Sequence, residues 1–160
     1  MKLNWPRPKT IARFGGLALV VFSLLQLIPV DRTTGHVAGG GDLLRLHPAP
    51  PAVAATLRAA CYDCHSNETR YPWYARVQPA AWWLQSHIRE GRAEVNFSAF
   101  GDYSPARQIT KLEMIADAVE EGSMPLDSYT WVHWNARLTK KQRAAISEWC
   151  ESSADQVRGN

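Results

Sequence analysis

Cys61 and Cys64 stand three positions apart, and His65 follows directly. Two thiols at that spacing lie on one helical turn. They can reach the two vinyl groups of one porphyrin and form thioethers. The adjacent imidazole can then serve as an axial donor to iron. C-x-x-C-H is the attachment signature of c-type haem, and covalent linkage retains the group when iron changes charge. Three other chemistries fit these residues less well. A redox dithiol normally follows a strand in a β-α-β pattern, and none surrounds Cys61-Tyr62-Asp63-Cys64. Zinc needs a second Cys/His pair nearby, whereas His87, His133 and Cys150 are scattered. A Cys61–Cys64 disulfide would be tight and strained.

A second axial ligand has several candidates. Met124-Pro125 comes two residues after Gly122, a helix stop. A thioether held there favours ferrous iron and raises the potential relative to bis-histidine ligation. His133 and His87 compete with Met124, and an open or water-bound position is the remaining alternative. Met114 lies inside an amphipathic pattern and reads as core filler. His36 and His47 fall in a Gly/Pro-rich stretch and read as solvated.

These residues need helices to position them. Ala52–Ala60, alanine-rich with Val53 and Leu57 four apart, reads as the helix leading into Cys61. A carbonyl in the following turn and loop, around Asn67–Tyr74, is the expected acceptor for the second ring nitrogen of His65. Ala80–Arg89 reads as a helix stopped by Gly91, with Trp83, Leu84, His87 and Ile88 on one side. Ser104-Pro105 opens a helix through Val119. Thr139-Lys140-Lys141-Gln142 fits a capping box for a last helix with Ala145, Ile146, Trp149 and Cys150 on one face; Cys150 reads there as a small hydrophobe. Arg70, Arg89 and Arg92 could pair with haem propionates, although each reads first as a surface charge. Six of the seven tryptophans lie from Trp73 onward and suit a core around a flat macrocycle.

The 160 residues suit one domain with an appendage. The net charge of +3 comes from the amino terminus, where Lys2, Arg7, Lys9 and Arg13 cluster; nothing indicates a nucleic-acid surface. The organisation read from composition is a basic cytoplasmic segment (1–13), an apolar transmembrane anchor or uncleaved signal (14–30), a linker (31–51), a haem domain (52–155) and a polar tail (156–160). The apolar run is at the short end of the about 17–25 residues that cross a bilayer. Basic residues before it place the remainder outside the cytoplasm. Val37-Ala38-Gly39 is a poor cleavage site, so the anchor is expected to stay.

The sequences CYDCHSNETRYPWY, HIREGRAEVNFSAF and EGSMPLDSYTWVHWNARLT, within Cys61–Trp149, resemble the bacterial haem-binding domain family of membrane-tethered c-type proteins. The order of features is also similar to small class I cytochromes c. The resemblance implies an all-α, cytochrome c-like domain around one covalently bound haem c, with Cys61, Cys64 and His65 carried over by motif and Met124 by position. It implies no enzymatic reaction. A His65/Met124 iron, closed on both sides, suits single-electron transfer in the periplasm, with the inner membrane and redox proteins as partners. The alternatives are a gas or redox sensor with a displaceable ligand, and a peroxidase-like enzyme using His133 or His87 as distal base.

Overall fold

Every regular element among the described residues of the computed structural model is helical. The structure describes residues 8–33 and 41–159, with side chains from residue 12. His36, Trp5, Lys2, Arg7 and the 37–39 cleavage candidate lie outside the described residues. The chain divides into two units: residues 1–32 with 72–86, and residues 33–71 with 87–160.

The first unit contains helix α1 (Pro8–Leu25) and a segment opening with a 3-10 turn, Trp73–Arg76. The expected 14–30 span is corrected here. The helix begins within the basic stretch and ends at Leu25; Gln26, Leu27 and Ile28 then donate to carbonyls three residues back, and Pro29 follows. About twelve apolar residues at 1.5 Å each reach roughly 18 Å, short of the roughly 30 Å hydrocarbon layer. Among the described residues no helix is long and apolar enough to cross a membrane. Residues 12–24 are nevertheless exposed around the whole helix.

Within this unit Gln26 and Gln78 clasp each other. Gln78 N–H donates to Gln26 Oε1 at 2.9 Å, and Gln26 Nε2 donates to the Gln78 carbonyl at 3.2 Å. The buried Gln78 side chain also donates to the Ile28 carbonyl at 3.0 Å. A buried amide costs free energy unless bonded in this way.

The second unit holds α2 (Leu43–Leu46), α3 (Pro51–Ala60), α4 (Tyr62–His65), α6 (Pro105–Glu121), α7 (Asp127–Thr130) and α8 (Lys140–Arg158). Helix α5 (Ala80–Glu94) contributes its second half to this unit. The second half of the expected linker is not a tether. Asp42 caps α2 by accepting from Leu44 N–H, and Leu43 is fully buried in the core. His47, expected in solvent, is buried edge-on against Phe100. Apolar Leu43 and the ring contact outweigh the Gly/Pro composition that suggested a linker.

Helices α6 and α8 pack as an antiparallel pair. Leu112, Ala116 and Val119 repeat at helical spacing on α6, and Ile146, Trp149, Cys150 and Ala154 on α8; all are buried in one core with Leu57 and Phe100. Gly122 ends α6 with φ of 80°, a left-handed conformation that glycine adopts without steric cost. Thr139 and Gln142 form the expected capping box, a device that contributes about 0.5–2 kcal/mol. Helix α8 continues through the expected tail to Arg158 because Ser153 and Ala154 are buried along it.

The tryptophans are corrected too. Trp149 is in the core, but Trp73 is 78%, Trp131 71% and Trp134 74% exposed. Aromatic count alone carries no information about which rings face inward.

Candidate functional site

Cys61 ends α3, its N–H donating to the Leu57 carbonyl at 2.9 Å. The chain then makes the single turn α4, with Cys64 and His65 N–H groups returning to the Cys61 carbonyl at 3.2 and 2.9 Å. Ser66 closes it by donating from both N–H and Oγ to the Tyr62 carbonyl. Cys61, Cys64 and His65 are thus brought together on one turn, and each is half-buried.

His65 Nδ1 lies 3.2 Å from the Val95 carbonyl. A carbonyl only accepts, so Nδ1 carries the proton and Nε2 carries the lone pair. This is the arrangement that orients a metal-binding imidazole. The acceptor was expected between Asn67 and Tyr74; it is instead at the end of α5, thirty residues onward. Burial lowers the His65 pKa, opposed by that bond, so the neutral, ligating form is favoured. Phe97 stacks on the imidazole, centroids 5.5 Å apart and planes at 25°.

Gly91 does not stop α5, which runs on to Glu94. Its role is steric. A Cβ there would meet the Cys64 carbonyl oxygen at 3.1 Å and His65 Cε1 at 3.3 Å. Gly91→Ala should therefore push the imidazole or the turn aside by a few tenths of an ångström, and the crowding should cancel the roughly 1 kcal/mol that alanine gains over glycine in a helix and leave the protein less stable. Urea denaturation checks it; an unchanged midpoint would show that the helix and turn can separate freely.

A polar network braces the turn. Arg92, expected as a surface charge or propionate partner, donates from Nε to the Ser66 carbonyl and from Nη2 to Thr69 Oγ1, both at 2.8 Å. Thr69 Oγ1 donates to the Asp63 carbonyl at 2.7 Å. Asp63 Oδ1 accepts from Arg70 N–H and Nε, and Oδ2 accepts from Tyr129 Oη at 3.0 Å. Asn67 N–H donates to Ser98 Oγ at 2.9 Å.

Two of the second-ligand candidates, Met124 and His133, lie on the segment after α6. Met124 is half-buried; its N–H donates to the Ala118 carbonyl, and its carbonyl accepts from Arg143 at 3.0 Å. His133 stacks on Tyr129 with centroids 4.0 Å apart, and its Nδ1 lies 3.1 Å from the Tyr129 carbonyl. The Asp63–Tyr129 bond brings that pair to the attachment turn. Met114 is exposed on α6 rather than core filler. His87 is half-buried on α5, four residues before Gly91; its expected neighbours Leu84 and Ile88 are buried, and Trp83 is largely exposed. A cleft of about 330 Å³ opens beside Pro125, Thr130, Trp131 and Arg143, away from the two thiols.

All three cysteines are free. Burial, reinforced by the neighbouring Cys64, pushes the Cys61 thiol up to about 12. Burial and the Asp63 carboxylate push Cys64 up to about 11 against Arg92. Redox dithiols have depressed pKa values, so this environment is the opposite of theirs. Among the described residues no group of three or more His, Cys, Asp or Glu side chains is placed to hold a metal ion. Two free thiols beside an Nδ1-bonded imidazole, on a turn that Gly91 lets the α5 backbone approach, do fit haem.

A helical domain with that donor set is suited to hold a haem. The model of the family described as a haem-binding domain matches residues 20–152, and the chain belongs to that family. No curated protein and no solved structure gives a match.

The sequence gives no sign of the roles of Val95, Phe97 and Tyr129, and it suggests other roles for Gly91 and Arg92. A glycine inside a helical pattern was the available signal for Gly91. A backbone carbonyl such as that of Val95 leaves none.

Proposed function

We propose that the chain is a c-type haem protein that carries one haem, covalently attached through Cys61 and Cys64, and passes single electrons outside the cytoplasm. The observation carrying this reading is the His65 imidazole, held by the Val95 carbonyl with its Nε2 lone pair available on the turn that bears both thiols. Bound haem supplies a one-electron couple. His65 would hold the iron through Nε2; Phe97 and the Val95 carbonyl hold the ring so that it need not reorient between charge states.

Met124 is the proposed second ligand, supported by its placement after Gly122 and its fixed backbone. His133 is the competitor, supported by its tie to Asp63 through Tyr129. A ligand displaced from either position would make the protein a sensor. Peroxidase-like chemistry, with His133 or His87 as distal base, has less support. The exposed apolar surface of α1 suits attachment to the inner membrane, with the haem domain on the periplasmic side and redox proteins as partners.

The test is expression of the full chain with haem-maturation machinery, followed by boiling in denaturant. Pigment should remain on the polypeptide; release of all pigment, or none formed, rejects the reading. Met124→Ala should then convert a low-spin ferrous spectrum to a high-spin, carbon monoxide-reactive one. An unchanged spectrum would remove Met124 and leave His133 or His87.

A further inference from the structure

Asp63 sits between the two attachment cysteines, and its carboxylate is a hub. Oδ1 accepts from Arg70, and Oδ2 accepts from Tyr129 Oη at 3.0 Å, sixty-six residues away in sequence. The Asp63 side chain is only 16% exposed, so the bond is shielded from water. A hydrogen bond to an ionised acceptor is about twice as strong as a neutral one. Tyr129 in turn organises its own segment. Its carbonyl lies 3.1 Å from His133 Nδ1, its ring stacks on His133, and its N–H caps the start of α7 by donating to Leu126. Met124 and His133 flank Tyr129 at five and four residues.

We propose that the Tyr129–Asp63 hydrogen bond latches the 124–133 segment to the haem-attachment turn, and that Tyr129 is thereby a positioning residue for the second side of the iron. This rests on the haem reading above. The latch acts on whichever ligand the segment presents, so it is independent of the choice between Met124 and His133. It also accounts for an aspartate between the cysteines: the residue is tied into the turn by Thr69 and Arg70 and reaches outward by one oxygen.

A control exists in the same unit. Leu112 on α6 is fully buried in the core, and its side chain has no hydrogen bond to lose. A merely structural role predicts that a comparable loss of stability there has the same effect as losing the Tyr129 hydroxyl.

The experiment uses the haem-loaded full chain, with carbon monoxide association to the ferrous protein measured by stopped flow and unfolding followed in parallel. Tyr129→Phe should raise the association rate about tenfold, because the segment opens more often once the charged hydrogen bond is gone. Asp63→Asn keeps an acceptor oxygen and should give a smaller rise. Leu112→Ala should leave the rate unchanged while lowering stability, as truncation of a buried leucine does. The latch is overturned by a Tyr129→Phe rate within twofold of wild type, or by a Leu112→Ala rise equal to that of Tyr129→Phe. A wild-type chain without attached pigment overturns the haem reading itself, and the latch with it.

Discussion

The Cys61→Ala/Cys64→Ala double variant should lose essentially all covalently held pigment while retaining its helical content. Each thioether needs one sulfur, and the single variants should each keep one linkage. The thiols stand on α4 with their backbone fixed by returns to Cys61, so alanine removes the sulfur without disturbing the turn. Acid extraction of purified protein followed by electrophoresis reads the outcome directly. Colour remaining on the denatured double variant would mean that attachment does not run through these atoms. Far-ultraviolet dichroism separates lost attachment from lost folding.

Phe97→Ala should be the most damaging core substitution near the site, costing about 3–5 kcal/mol. The ring is 2% exposed, packs on Tyr62 with centroids 5.2 Å apart, and stacks on His65. Deleting it opens a cavity in the core and removes one of the two contacts that orient the imidazole. Chemical denaturation of the variant measures the first effect. A loss below about 1.5 kcal/mol would show that neighbours collapse into the space and that the ring is not a keystone.

How much of this was legible from residues alone depends on whether the cause was local. The Thr139-Gln142 capping box, Gly122 and the buried face of α8 follow from contacts within a few positions, and the structure has them. The Cys61–His65 turn was legible for the same reason. Tertiary causes were not. Leu43 and His47 sit in a Gly/Pro-rich context that reads as linker, yet packing places them inside. Gly91 reads as a stop, but close approach to His65 explains it. The His65 acceptor is a carbonyl thirty residues away, and a carbonyl has no residue type. Exposed Trp131 and Trp134 show the limit of composition: indole is as compatible with a boundary as with an interior.

The glutamine clasp bears on how the chain can be shortened. Gln78 draws on Gln26 Oε1 and the Ile28 carbonyl for two of its donors. A fragment beginning after residue 30 would deprive both of their acceptors, and Gln78 is only 5% exposed. Each bond lost to water costs about 0.5–1.5 kcal/mol net. The residues that follow the leading helix are therefore not interchangeable with a generic leader, and trimming them would free the backbone at Gln78.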